Sequence, residues 1–215
     1  MSSKQDEQPE EFESLVPDTP LEKPYCDNYK ILRTLGRGGN AVVKLVERRG
    51  KQYAMKLFQP HKTEREAFFK ETEAEFNIVS SLKLKAIPRY IEWKREATWV
   101  NSDGDERKVA YLVMEHVDGV ELIDLFNQIG RPTTEPFLRH IFKELAMDLH
   151  TLHNAGVAHR DIKPENIIFT HNYEIKLIDL GYGISLAGRQ EDGFNRTRLG
   201  TKMYMAPEVV ENQPY

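Results

Sequence analysis

The chain is 215 residues long, 40% hydrophobic and 30% charged, with a formal charge of −4, which suits one soluble domain or two small lobes. This balance, without a long basic run, leaves no electrostatic footprint for nucleic acid, and no stretch is apolar enough to span a membrane. Met1-Ser2-Ser3-Lys4 lacks an apolar signal core, Ser2 excludes myristoylation, and the single Cys26 cannot form an internal disulfide, which together point to a reducing intracellular setting, cytoplasm or nucleus.

Met1 to about Pro24 is polar and acidic, with Asp6, Glu7, Glu10, Glu11, Glu13, Asp18 and Glu22 against Lys4 and Lys23. Such a segment buries too little apolar surface to offset its ordering entropy, so residues 1–28 are expected to form a disordered acidic tail. Folded structure is expected from Tyr29. Tyr29–Leu35 reads as a strand entering a glycine turn, Ala41–Val46 returns, and Arg49-Gly50-Lys51 turns into Gln52–Phe58. Charged residues from about Thr63 to Leu84 compose an exposed helix, which Ile87-Pro88 ends. Two strands follow, around Tyr90–Lys94 and Val109–Glu115. The acidic Asn101–Glu106 between them lacks the ligand spacing and terminal glutamate of an EF-hand, so it reads as a hairpin turn.

From Val120 the periodicity changes. Leu122, Leu125 and Phe126 suit a short helix, which Gly130-Arg131-Pro132 breaks. Thr133 or Thr134 can cap the next helix, where Leu138, Ile141, Phe142, Leu145, Leu149 and Leu152 mark a buried stripe that Asn154-Ala155-Gly156 ends. Ile167–Phe169 and Glu174–Ile178 form a hairpin leading into Asp179. Strands come first and helices later, the order of an α+β fold.

The run His159-Arg160-Asp161-Ile162-Lys163-Pro164-Glu165-Asn166, followed by Asp179-Leu180-Gly181, carries the chemistry. Phosphoryl transfer from a nucleotide needs a carboxylate to orient a hydroxyl and take its proton, and a cation to steady the moving group. It also needs an amide and a second carboxylate to hold magnesium on the phosphates. With Ala206-Pro207-Glu208 downstream in the family order, the sequence resembles the eukaryotic protein kinases. The resemblance implies a two-lobed α+β fold, with a β-rich N-lobe at about 29–117 and a partial helical C-lobe at about 118–215.

The same resemblance assigns the nucleotide site. Gly36-Arg37-Gly38-Gly39-Asn40-Ala41 lies between strands, where a dinucleotide-binding turn would instead open a helix. Gly36 and Gly38 let the backbone approach phosphates, and Ala41 stands where the family has a third glycine. Lys56 is placed like the lysine on the α- and β-phosphates. Its partner should be a glutamate on the following helix; Glu75 is preferred because Ile78, Val79 and Leu82 follow at burying spacing, with Glu71 next. Leu112–Gly119 looks like the hinge that holds adenine, with backbone bonds from Glu115 and Val117 and Met114 as gatekeeper. Leu35, Val43, Ala54 and Ile168 would supply apolar walls.

For the reaction, the resemblance makes Asp161 the proton acceptor and Lys163 the charge balance on the γ-phosphoryl of ATP. Asn166 and Asp179 become ligands of Mg2+. Leu180 replaces the commoner phenylalanine without touching the carboxylate. Lys163 and Gly200-Thr201 resemble the serine/threonine branch. The calmodulin-dependent and cyclic-nucleotide-dependent groups look alike over this span. Glu165 and Glu121 fall where basophilic members bind substrate arginines, and Thr197 falls where an activating phosphate pairs with Arg160.

The resemblance covers about the first two-thirds of a kinase domain. The helix stripe around Leu145 and Leu149 should then face solvent on one side, which predicts instability or a regulatory partner covering the incomplete C-lobe. Three readings follow: a serine/threonine kinase acting on protein substrates, an inactive or fragmentary nucleotide-binding scaffold, and a small-molecule phosphotransferase. The scaffold would have lost Lys56, Asp161 or Asp179, and the phosphotransferase would lack Ala206-Pro207-Glu208.

Overall fold

A computed structural model of the chain describes residues 24–38, 41–58, 65–129, 134–180, 184–185, 200–211 and 213. Most of the expected tail (1–23), Gly39, Asn40, Gly181 and Thr197 lie outside the described residues.

Strands β1 (Tyr25–Cys26), β2 (Tyr29–Arg37), β3 (Ala41–Arg48), β4 (Lys51–Phe58), β5 (Tyr90–Val100) and β6 (Glu106–Glu115) close a barrel in the order β1-β2-β3-β4-β6-β5. Period-two alternation gives its wall two different faces. Met55 and Leu57 of β4 join Val109, Tyr111 and Val113 of β6 in one core with Cys26, Tyr29, Ile31 and Val46. The alternate residues Ala54, Phe58, Ala110, Leu112 and Met114 belong to a second core that continues into the C-terminal half. Lys56 lies between Ala54 and Phe58, so the pleat turns its ammonium toward that second side.

The boundary of the tail needs correction. Tyr25 and Cys26 pair with both β2 and β5, and Cys26 is fully buried. Asp27, with φ 48°, exchanges bonds with Thr98: its N–H donates to the Thr98 carbonyl and its Oδ1 accepts the Thr98 N–H, each at 3.0 Å. A strand of two residues has no alternation to read; it exists only because the ends of β2 and β5 need closing.

Helix α1 (Arg65–Ser81) connects β4 to β5. The hairpin between β5 and β6 turns on Asn101, whose Oδ1 accepts the N–H groups of Asp103 and Asp105 at 3.0 and 2.8 Å. The acidic residues there serve a polar turn, as an Asx side chain allows.

Beyond the barrel come β7 (Gly119–Glu121), α2 (Leu122–Ile129), α3 (Glu135–Asn154), β8 (Val157–Ala158), β9 (Ile167–Thr170), β10 (Ile175–Leu177), β11 (Ile184–Ser185) and α4 (Pro207–Val210). One sheet runs β10-β9-β7, and β8 pairs with β11. A Cβ on Gly119 would lie 2.4 Å from the Phe169 carbonyl oxygen, so only glycine lets β7 approach β9 this closely.

Thr134 takes the N-cap position of α3, but its side chain makes no capping bond. Gly156, at φ 76°, follows the helix and donates its N–H to the His153 carbonyl, the C-terminal role that favours glycine. The stripe is corrected at one position. Ile141 and Leu152 are buried and Leu145 and Leu149 pack half-buried on the core, whereas Phe142 is 65% exposed, joined on the outer face by Met147. Among the described residues no helix is long and apolar enough to cross a membrane.

Candidate active site

The loop between β8 and β9 is fixed from within by His159. Its Nε2 bonds the Ile178 carbonyl at 3.0 Å, and its Nδ1 accepts the Asp161 N–H at 3.3 Å. One nitrogen must therefore donate and the other accept, which is the neutral imidazole. Burial pushes the pKa of His159 below its usual value, against the opposing pull of Ile178, Asp179 and Asp161. The same side chain thus ties the Asp161 loop to the residue preceding Asp179. Arg160 and Asp179 both hold positive φ (65° and 59°), a conformation that side chains tolerate at a cost of about 1–3 kcal/mol.

Asp161 is the centre of the site. Its Oδ1 accepts the Thr201 N–H and hydroxyl, both at 2.8 Å, and its Oδ2 meets Lys163 Nζ at 2.9 Å and Asn166 Nδ2 at 3.0 Å. Lys163 also donates to Thr201 Oγ1 at 2.7 Å. Burial alone would raise the Asp161 carboxyl, but the bonds from Lys163 and Thr201 outweigh it and hold the group below its ordinary pKa. Burial would likewise lower Lys163, and Asp161 reverses that, leaving the ammonium above its usual value. Both groups are charged at neutral pH. Thr201 reaches Asp161 because Gly200, at φ 109°, passes the Arg160 carbonyl so closely that a Cβ would lie 2.5 Å from it.

Asn166 Nδ2 also bonds the Asp161 carbonyl at 2.9 Å. The amide nitrogen is thereby committed to Asp161, and the Oδ1 oxygen is what Asn166 can offer a cation. Asp179, with its side chain 46% exposed, supplies a carboxylate. Two hard oxygens suit magnesium shared with phosphates, which needs no all-protein cage. Among the described residues no three His, Cys, Asp or Glu side chains gather into one.

The phosphate end fits as well. Gly38 N–H donates to the Ala41 carbonyl at 2.9 Å, closing the turn from β2 to β3. Neither Gly36 nor Gly38 has positive φ; a Cβ on Gly36 would meet nothing within 4 Å and one on Gly38 only the Ala41 carbonyl at 3.7 Å. The chain itself does not demand glycine there, so the open backbone is available to a phosphate.

At the adenine end, Ala54 and Met114 face each other across β4 and β6, both buried. Leu35 and Val43 pack half-buried on the same core. Ile168, half-buried on β9, lies beside Gly119. Val117 is buried, and the Glu115 N–H already donates to the Arg89 carbonyl at 2.8 Å, which leaves Glu115 its carbonyl for a base.

The expected Lys56–Glu75 pair is the main departure. Lys56 Nζ bonds Asp179 Oδ1 at 2.6 Å, while Glu75 Oε1 accepts the Tyr90 hydroxyl at 2.7 Å. A half-exposed carboxylate meets an ammonium with less desolvation than a buried one. Burial raises the pKa of Glu75, although Tyr90 and the charge of Lys56 act to lower it, so Lys56 is close enough to be felt. The other helix candidates are solvated: Glu71 and Glu73 are exposed, and Glu66 pairs with Arg95 at 2.7 Å.

Thr201 and Tyr90 make the contacts that motif reading does not assign, although the sequence points to a structural or substrate-positioning role for Thr201. Gly200-Thr201 before the Ala206-Pro207-Glu208 motif was a signal for the first, though not for its bonds to Asp161. Nothing local marks Tyr90. Glu208 is exposed at the start of α4. Glu121 and Glu165 are close enough to act on each other: burial raises the Glu121 carboxyl, and the charges of Asp124 and Glu165 add to it. Glu165 Oε2 is buried without a hydrogen-bond partner.

A barrel lobe, a helical lobe and this carboxylate–lysine–amide cluster define a phosphotransfer domain of the protein kinase type. The family model described as the protein kinase domain matches residues 29–215, and the chain belongs to the eukaryotic protein kinase family, in its serine/threonine branch. It is 34% identical to CBL-interacting serine/threonine-protein kinase 9 of Arabidopsis thaliana, over 92% of this chain and 42% of that protein. It is 35% identical to serine/threonine-protein kinase cds1 of Schizosaccharomyces pombe, over 86% of this chain and 39% of the relative. With serine/threonine-protein kinase Nek3 of Mus musculus the identity is 32%, over 88% and 34%. The chain therefore spans well under half the length of these relatives.

Proposed function

We propose that the chain transfers the γ-phosphoryl group of Mg-ATP to serine and threonine hydroxyls of protein substrates. The observation that carries this reading is the ionised Asp161, held between Thr201, Lys163 and Asn166. Its acceptor sites are all occupied, so an incoming hydroxyl takes the place of the Thr201 hydroxyl on Oδ1 and gives up its proton there. Lys163, already fixed on Asp161, faces the charge that develops on the transferred oxygens. Magnesium held by Asn166 and Asp179 would neutralise phosphate charge and keep donor and acceptor aligned. Lys56, released from Asp179, reaches the phosphates.

The proposed preference is for arginine or lysine upstream of the acceptor. The Asp124 and Glu165 charges that act on the half-buried Glu121 support it, since a guanidinium beside Glu121 would relieve that repulsion. A regulatory partner, as the name of the plant relative indicates for that protein, would meet α3 at the exposed Phe142 and Met147.

The test is transfer of labelled phosphate from Mg-ATP to serine peptides with and without upstream arginine, by the purified chain and its Asp161→Asn variant. The expected result is transfer favouring the arginine peptide, reduced at least about 100-fold in the variant. Equal rates on both peptides would remove the basophilic preference. Absence of transfer by the unaltered chain would leave a non-catalytic module.

A further inference from the structure

Lys56 and Glu75 occupy different partners, and the group that separates them is a tyrosine. Tyr90 is the first residue of β5, paired with Met114 of β6 and only 6% exposed, so its ring is anchored in the barrel wall. Its hydroxyl donates to Glu75 Oε1 at 2.7 Å, crossing from strand to helix. The Leu180 backbone acts on the same hydroxyl: burial and the Glu75 carboxylate raise Tyr90 well above the ordinary tyrosine range, and a hydrogen bond from Leu180 works against them. One side chain therefore joins α1 to the barrel wall.

A carboxylate at the end of a glutamate turns almost freely about its last torsion. Bonding one oxygen to a rigid tyrosine stops that rotation and decides which oxygen remains for a second donor. We propose that Tyr90 is a positioning residue for the nucleotide site: its hydroxyl holds Oε1 of Glu75, so that Oε2 is presented to Lys56 when that lysine leaves Asp179. Lys56 then stays oriented on the phosphates by a carboxylate that is already in place. The inference rests on the phosphotransfer reading of Lys56 and Asp179. It assigns to Tyr90 a role in nucleotide binding that acts through Glu75 and not through contact with the ligand.

The test is calorimetric titration of ADP without magnesium, which leaves Asp179 its lysine-free or lysine-bound choice but removes metal ligation from the readout. The purified chain, Tyr90→Phe, Glu75→Gln and the double variant are compared. Loss of one hydrogen bond to a charged group should weaken ADP about fivefold in Tyr90→Phe. Adding Tyr90→Phe to Glu75→Gln should weaken it no further, the signature of two residues acting in one path. Partial unfolding weakens an apparent dissociation constant by the folded fraction, so the folded fraction of each variant is measured by urea titration and its constant corrected for it. Unchanged or tighter binding by Tyr90→Phe, or the same loss in the Glu75→Gln background, overturns the proposal while leaving the kinase reading intact. If Tyr90→Phe yields no folded protein, Glu75→Gln decides: glutamine still accepts from Tyr90 but lacks the charge, and unchanged affinity overturns the proposal. No ADP binding by the unaltered chain would remove both.

Discussion

Thr201, together with Lys163, keeps the Asp161 carboxylate ionised. Its hydroxyl donates to Asp161 Oδ1 and accepts from Lys163, so one small side chain bonds both charges of that pair. Those bonds, with the Lys163 ammonium, hold the Asp161 carboxyl below its usual pKa against the upward push of burial. Removing the hydroxyl takes away a donor that favours the ionised form, so the carboxyl pKa moves up. The acid limb of the kcat/KM–pH profile, which needs ionised Asp161, should move up with it. Thr201→Val is expected to show that shift and a loss of about tenfold in kcat/KM, while Thr201→Ser keeps both near the original. A profile carried from about pH 3 to pH 8 checks it, since the limb begins below the ordinary aspartate value near 3.9. An unshifted limb in Thr201→Val would mean that Lys163 and the backbone bond suffice.

Among the elements, length decides what the sequence discloses. The long alternating strands β2, β3, β4 and β6 and the stripe of α3 are legible because their periods repeat several times within one segment. Tyr25–Cys26 and Gly119–Glu121 are not, since each is a strand only by virtue of its partners. The site divides in the same way. Asp161, Lys163, Asn166 and Asp179 stand in short motifs whose resemblance to the kinase family implies their chemistry. The Tyr90–Glu75 bond joins a strand to a helix, and neither residue's neighbours specify the contact. Phe142 followed helical spacing yet lies on the outer face, because the core meets only a narrow side of α3. Gly119 shows how much a short strand depends on its partner. Gly119→Ala would put a Cβ 2.4 Å from the Phe169 carbonyl oxygen and 2.7 Å from Ile168 Cγ2, forcing β7 away from β9. Overpacking of this kind costs about 1–3 kcal/mol. A urea midpoint lowered in proportion is the expected result, and an unchanged midpoint would show that β7 can shift without loss.

Across the whole molecule, the buried His159 and the half-buried Asp148 make stability depend on pH in opposite directions. His159 is neutral in the fold, with its pKa lowered by burial below the usual 6.5. As pH falls through 6.5 the unfolded chain takes up that proton first, so the fold loses stability on the acid side, until the pH reaches the folded pKa. Asp148 on α3 behaves the other way. Burial, with Glu144 and Glu174 nearby, raises its carboxyl from 3.8 to about 6, and Lys176 only partly offsets them. The Lys176 ammonium is also occupied by the Lys85 carbonyl, at 2.8 Å. Here the folded chain takes up the proton first, so stability rises as pH falls through about 6 toward 3.8. Near pH 6 the two effects oppose each other, so each masks part of the other in the unaltered protein. Asp148→Asn removes one of them. It should raise the urea midpoint at pH 7.5, because an ionised carboxylate is no longer held among like charges, and it should expose a clear fall toward pH 5 from His159. Midpoints at those two pH values test the pair. A variant that gains nothing at pH 7.5 would show that solvent already screens Asp148, and a flat profile in the variant would show that His159 takes up its proton as readily in the fold as in the unfolded chain.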